Sequence, residues 1–522
     1  MRAVALICGV LLAGTACVAQ DNLPPPVAAA VEALAGYLHI EPAQVKVVDL
    51  EEVTWPDASL GVPEPGKMYA QVLVKGYRVT LEATGRRFEY HTDMTVRAVR
   101  VPTEQMAPAA GEGEQPDVVG KAVEDLSARL GIEPDQITVI SAEERQWPNP
   151  ALGLEEPGMM YAQVITPGYF IVLQAAGHQY AYHASQSGAK PAGIYVPDDA
   201  SPDVLAMVRT EPRDGNNFFE LQRIGPMPEG NAETIFPALS GFTATPDGRS
   251  IALVVRTSRS SHSLLLWDGE GEPTQVDMAF DFGLVCFSPL GERLAYFKRE
   301  NITVPDVTLE IYDVGSGQVA HRIVPKVEGG QCQWQAMVWT LGGLVFTVSA
   351  ADGPPHTFGW NGTETTPVGD GLTVMGWIPG TGSVLVRTAG DEGRQALGAI
   401  HVPGGDLVTL LQAPQVVSAA ALPGQHAVLA VVSDNDGALK LVRATWGGAV
   451  EELMPIVAGG EVLELLAGPA GGLVTLGYIV GDQVKTDVLA VDETATKLMT
   501  LDECLLAAPI GRYPLAVTAP AG

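Results

Sequence analysis

Trp147-Pro148 repeats Trp55-Pro56 at an offset of 92 residues, and the match runs on without a gap. Leu60-Gly61 returns as Leu152-Gly153, Pro65-Gly66 as Pro157-Gly158, and Met68-Tyr69-Ala70-Gln71-Val72 as Met160-Tyr161-Ala162-Gln163-Val164. Gly76-Tyr77 answers Gly168-Tyr169, Tyr90-His91 answers Tyr182-His183, and Ile40-Glu41-Pro42 answers Ile132-Glu133-Pro134. Roughly half of the aligned positions are identical, which marks a duplicated unit. Each unit has about 75 residues, enough for a small independent domain. The N-terminal third must therefore build one fold twice.

Local patterns give that fold a shape. Val31, Leu34 and Leu38, and again Val123, Leu126 and Leu130, fall on one face of a short helix. Pro42 and Pro134 stop it from continuing. Strands are expected at Val45–Val48 (Ile137–Ile140 in the second copy), at Tyr69–Val74 and Tyr77–Ala83 around a Lys75-Gly76 turn, at Arg87–Thr92, and at Val96–Val101. The unit reads as one helix on a small antiparallel sheet, an α+β module. The motif W-P-x-x-x-L-G-x-x-x-P-G-x-x-Y-A-Q-V resembles a module found, often in tandem, in exported bacterial proteins. That family commonly has Cys after Leu-Gly, where this chain has Val62 and Leu154. The helix-plus-sheet order is also similar to small exported PepSY-type modules.

Trp55, Tyr69 and Gln71, with Trp147, Tyr161 and Gln163, form a candidate binding loop, because aromatic side chains anchor interfaces. The alternative is that the tryptophan and tyrosine cover the open side of a small sheet. His91 and His183 read as ordinary, partly exposed histidines at strand ends.

Pro102–Asp117 has the composition of a linker, and so does Ala184–Asp203. Beyond residue 203, short β-rich runs alternate with Gly, Asp and Pro turns. Similar strand starts recur near Gly241, Phe282, Cys332, Val374, Val416, Val462 and Cys504. A spacing of roughly 41 to 50 residues is one four-stranded propeller blade. Phe242-Thr243-Ala244-Thr245-Pro246-Asp247-Gly248 and Phe287-Ser288-Pro289-Leu290-Gly291 resemble the hairpin of TolB-type and WD40-like propellers. Six blades are complete, and Leu505–Ala508 with Val204–Arg209 and Phe218–Ile224 supplies a seventh from both chain ends. Counts of six or eight stay open. The expected layout is a signal peptide at 1–19, modules at 27–101 and 118–197 joined by a linker at 102–117, and a propeller at 203–522.

With Lys+Arg 31 against Asp+Glu 61, the net charge is −30, which disfavours nucleic acid and anionic lipid as partners. Arg2 followed by the apolar run Ala3–Ala13 reads as an export signal. Cleavage after Ala19 would release the chain. Gly14-Thr15-Ala16-Cys17 resembles a lipobox, which would make Cys17 a lipidation site. The chain is thus expected to be secreted or lipid-anchored, with no transmembrane helix. Cys286, Cys332 and Cys504 are either buried thiols or a Cys286–Cys332 bridge with Cys504 free.

Catalytic patterns are missing from the sequence. There is no G-x-S-x-G elbow, no zinc spacing and no phosphate loop, so no cofactor or metal is expected. Asp434-Asn435-Asp436-Gly437 reads as a hairpin turn rather than a calcium loop. The function expected is non-catalytic binding or scaffolding of a protein or glycan at the cell envelope. The competing expectation is a hydrolase with paired carboxylates in the propeller channel, which glycoside cleavage requires.

Overall fold

The computed structural model describes residues 23–510 except 39–41, 43–44, 56–58, 61–71, 84–85, 96–97, 101–116, 198–199, 201, 211–218, 228–229, 259, 270, 302–306, 328–331, 457–460, 470–471 and 493. The export signal, Cys17 and nearly all of the 102–117 linker lie outside the described residues. Two compact units divide the chain, Met1–Glu114 and Gln115–Gly522. The second copy of the repeat thus belongs to the same unit as everything that follows it.

In the first unit, helix α1 (Pro25–Leu38) packs on a sheet ordered β1 (Lys46–Trp55), β2 (Val74–Ala83), β3 (Arg86–Thr92) and β4 (Ala98–Arg100). Val27, Ala30, Val31 and Leu34 meet Val47, Val79, Leu81 and Tyr90 in its core. The copy in the second unit has α2 (Asp117–Leu130) on β5 (Thr138–Trp147), β6 (Thr166–Ala175), β7 (His178–Ser185) and β8 (Gly188–Ile194). There Val119, Ala122 and Leu126 lie on Ile171, Leu173, Tyr180 and Tyr182. Both helices end four residues before their Ile-Glu-Pro proline; in the second copy Gly131, at φ 66°, turns the chain and its N–H closes on Ser127 O.

Two expectations about these modules are corrected. Lys75-Gly76 is not a turn: it lies inside β2, paired with Thr54 and Val53. Gly76 is glycine because a Cβ would collide with the Thr92 carbonyl, and Gly168 meets the Ala184 carbonyl in the same way. Correspondingly, Tyr161–Ile165 is outside any strand, as are Val72 and Leu73, while Tyr69 lies outside the described residues. The Ala184–Asp203 stretch is not a free linker either. Gly188–Ile194 is the edge strand of the second module, the position where Pro191 is tolerated.

From Asp203 to Ile510 the described residues form seven four-stranded antiparallel sheets. Their first strands are Gly241–Ala244, Asp281–Phe287, Gln333–Thr340, Thr373–Trp377, Gln415–Leu422, Glu461–Ala467 and Cys504–Ile510. The last of these pairs with Asp203–Arg209, so one sheet is assembled from the two ends of the region. Consecutive sheets share apolar cores. Val254 and Leu264 of the first sheet pack with Phe282 and Leu294 of the second. At the other end of the series, Leu205 and Met207 of the last sheet pack with Phe242 and Leu253 of the first. Face-to-face packing that returns to its starting sheet is the arrangement of a β-propeller. Closure removes the free sheet edges that would otherwise pair with other chains.

Cys286, Cys332 and Cys504 are free thiols, which removes the Cys286–Cys332 bridge. Burial pushes the Cys504 thiol up to about 11, so it behaves as a small apolar residue. Asp434 to Gly437 form a hairpin turn in which Asp434 Oδ1 accepts the Asp436 and Ala438 backbone N–H groups.

Candidate functional site

The repeated motif splits into a buried part and an exposed part. Trp55 and Trp147 close β1 and β5 and are only 4% and 5% exposed. Their indole N–H groups donate to Thr92 O at 3.0 Å and Ala184 O at 3.1 Å. Each indole stacks on the module's histidine, Trp55 on His91 at 4.1 Å and Trp147 on His183 at 4.5 Å. The histidine Nδ1–H donates in turn to a leucine carbonyl, Leu60 O or Leu152 O, at 2.6 Å in both copies. Those leucines hold φ of 59° and 62°, a left-handed conformation that costs an L-residue about 1–2 kcal/mol. The Trp–His–Leu latch thus fixes a strained loop. The two tryptophans are buried internal anchors, as the alternative reading of the loop has them.

The expectation of partly exposed histidines also fails for His91, which is 6% exposed. Its Nε2 lies 2.7 Å from Glu89 Oε1. The second copy has Ala181 at the position of Glu89. There burial, with the Arg145 guanidinium nearby, outweighs the bond to Leu152 O and holds the His183 imidazole down at about 4. His183 is accordingly neutral near pH 7, with its proton on Nδ1 because a carbonyl only accepts.

Downstream of the latch the loop turns outward. Tyr161 is half-buried and its hydroxyl accepts the Glu156 N–H at 3.2 Å. Gln163 is exposed. Around them Met159 (61%), Met160 (97%), Val164 (60%) and Ile165 (66%) are open to solvent. In the first unit, Tyr69 and Gln71 lie outside the described residues, while Val72 and Leu73, the counterparts of Val164 and Ile165, are exposed.

Between latch and strip, the loop of the second module docks on the propeller. Glu156 Oε2 is 2.7 Å from His401 Nδ1 and also accepts the Ser383 hydroxyl. Glu155 Oε2 is 2.8 Å from His426 Nε2, while its other oxygen accepts from Asn149. Leu154 lies against Gly380, and Gly158 against Val408. A second contact joins the β6–β7 turn to the first propeller hairpin. His178 Nδ1 is 2.8 Å from Asp247 Oδ2, Ser250 Oγ is 3.2 Å from His178 Nε2, and Arg249 donates to Gly177 O. Burial alone would raise the Asp247 carboxyl. The bond and charge of His178, with bonds from Thr245 and the Arg249 N–H, outweigh it and hold the group below the usual carboxylate range. Leu290 of the second propeller hairpin completes the module's own core. None of these cross-contacts was legible locally, because the partners are separated by 69 to 271 residues.

The docked module roofs a cavity of about 460 Å³ at the propeller axis. Ala192, Gly193 and Ile194 of β8 cover it, and the prolines that follow five first strands ring it, Pro246, Pro289, Pro379, Pro423 and Pro469. Its walls are mainly small and apolar, with one carboxylate, Glu464. A carboxylate pair of the kind expected for a hydrolase is therefore not among the described lining residues. Among the described residues no group of three or more His, Cys, Asp or Glu is placed to hold a metal ion.

A domain of unknown function (DUF8738) is the family whose model matches the chain, at residues 27–101 and 119–191. Those bounds fall on the two copies of the repeat. No curated protein matches the chain. Among solved structures, the chain is similar to the β-propeller domain of the Trilobed protease from Pyrococcus furiosus, at 10% identity and a TM-score of 0.45, covering 58% of this chain and 97% of that one. It is also similar to TolB from Acinetobacter baumannii, at 14% identity and a TM-score of 0.38, covering 60% and 83%. Acylaminoacyl peptidase from Pyrococcus horikoshii is similar at 12% identity and a TM-score of 0.43, covering 57% of this chain and about half, 52%, of the peptidase.

Proposed function

We propose that this chain is an exported, non-catalytic binding protein, secreted or anchored through Cys17, in which a seven-bladed propeller carries the second α+β module as a fixed cap and presents its loop to a protein partner at the cell envelope. The observation that carries this reading is the strip Met159–Ile165. Four large apolar side chains are solvent-exposed within seven residues of a loop that the latch and the docking contacts hold in place. Exposed apolar groups on an ordered loop mark interaction surfaces. The exposed pair Val72 and Leu73 repeats Val164 and Ile165 in the first unit, so two copies offer the same feature and raise avidity for a repeated partner. Apolar side chains favour a protein over a glycan.

The test is capture of extracellular proteins on the immobilised intact chain, on residues 115–522, and on an intact chain carrying Met160→Glu and Ile165→Glu. The reading expects a protein retained by the first two and lost, at least about tenfold, from the variant, since charging a buried interface centre costs 2 kcal/mol or more. Equal retention by the variant, or none by the intact chain, overturns it.

A hydrolase remains the second reading, on a different observation from the channel carboxylates. Ser250, His178 and Asp247 are joined in the order of a serine-hydrolase relay. His178 and Asp247 are each only 9% exposed at the side chain and serve the module–propeller junction, which favours a structural role. Covalent labelling of Ser250 by a fluorophosphonate, abolished in Ser250→Ala, would establish the hydrolase instead.

A further inference from the structure

We propose that the axial cavity is a binding site for a small protonated amine with a hydrocarbon tail, its ammonium group held by Glu464. Glu464 lies on the first strand of the sixth sheet, where a register shift between Val462 and Glu464 interrupts the strand's pairing. Its cross-strand partner is Gly477, which offers no side chain. The Glu464 carboxyl has no hydrogen bond or ion pair to any described residue, and no other Asp, Glu, His, Lys or Arg is among the described residues lining the cavity. Glu464 is half-buried in the cavity wall. A carboxylate partly withdrawn from water without a counter-charge is costly, and a cation delivered by a ligand relieves that cost. Here burial alone pushes the carboxyl up to about 7.

The remaining walls suit the tail. Met337, Met375 and Trp377 give a polarizable surface, and Ala419 and Ala508 leave space. A volume of about 460 Å³ falls in the range of small-molecule sites. The net charge of −30 raises the local concentration of cations.

The affinity carries a sign. Below pH 7 Glu464 is protonated and cannot pair with an ammonium; above it the carboxylate is available. An alkylamine, with an ordinary pKa of about 10, stays charged throughout. Titration calorimetry of the full chain with hexylamine should therefore show about tenfold tighter binding at pH 8 than at pH 6. Uncharged hexanol should bind at least about tenfold more weakly than hexylamine at pH 8.

Glu464→Gln should lose both that advantage and the pH dependence. Ala419→Phe, which fills the cavity and leaves Glu464 in place, should also abolish binding, and unchanged circular dichroism confirms that each variant folds. A free amine and a lysine side chain present the same chemistry. Hexylamine reports the first and an acetylated, amidated lysine peptide the second. Binding of either that depends on Glu464 supports the site. Binding of neither, hexanol binding as tightly as hexylamine, or full binding by Glu464→Gln overturns it.

Discussion

His178 Nδ1 and Asp247 Oδ2 stand 2.8 Å apart across the junction of the second module and the first propeller hairpin, each side chain 9% exposed. The two His–carboxylate pairs where the motif loop meets the propeller differ in exposure: His401 and His426 are each 51% exposed. Solvent screening leaves such pairs with less than about 1 kcal/mol each. Removing one member of the buried pair should cost about 2–3 kcal/mol, because it strands a group already withdrawn from water. His178→Ala should thus lower the stability of the full chain in urea several times more than His401→Ala. Equal losses would place the docking energy elsewhere.

The depressed Asp247 carboxyl adds a pH dependence. A group lowered on folding contributes stability above its unfolded value of about 4, lost as pH falls through the folded value. Followed by fluorescence, the stability of Asp247→Asn should fall less steeply than that of the parent as pH drops below about 4.

His183 supplies a second sign. Its imidazole is held at about 4, below the ordinary 6.5. A base depressed on folding stabilises the native state above pH 6.5, and that contribution disappears as pH falls toward 4, a loss of up to about 3 kcal/mol. Nitrogen-15 spectra at pH 6 should show neutral His183 protonated at Nδ1. An imidazolium signal at that pH would break the latch as described.

Lys298 lies buried among three carboxylates: Asp277 and Glu300 at 2.9 Å, and Glu310 at 3.6 Å. Glu310 is fully buried and also takes Arg322 at 2.6 Å. Lys298→Met leaves Asp277 and Glu310 short of a cation and should destabilise the chain by about 3–5 kcal/mol. Adding Glu310→Gln to that variant should recover part of the loss, which a double-mutant cycle in denaturant reads directly.

What the sequence made legible was periodic. The first strands begin within a residue or so of the starts read from the spacing, at Gly241, Asp281, Gln333, Thr373, Gln415, Glu461 and Cys504. The hairpin turns at Pro246-Asp247-Gly248 and Pro289-Leu290-Gly291 and the even spacing of the β-rich runs carried that signal. Misreadings arose where one residue type serves two causes. Gly76 looks like a turn glycine, yet it is required by the Thr92 carbonyl beside it. Gly188–Ile194 looks like linker because an edge strand tolerates Gly and Pro. Trp147 reads equally as a binding or a covering residue, and only the stack on His183 shows its ring turned inward. Nothing local marks Glu464, whose isolation arises only when distant strands close around it.

The second module lies on the propeller with its motif loop against the fourth sheet, and disulfide trapping tests that placement most directly. A Cβ at Gly158 would lie 3.3 Å from Val408 Cβ, close to the separation of about 3.8 Å found in disulfides. The full chain carrying Gly158→Cys and Val408→Cys should, on mild oxidation, yield a peptide bridged between 158 and 408 in most molecules, with Cys286, Cys332 and Cys504 still reduced. Recovery of both new cysteines as freely alkylated residues in the folded protein, with no bridged peptide, would contradict the docked arrangement.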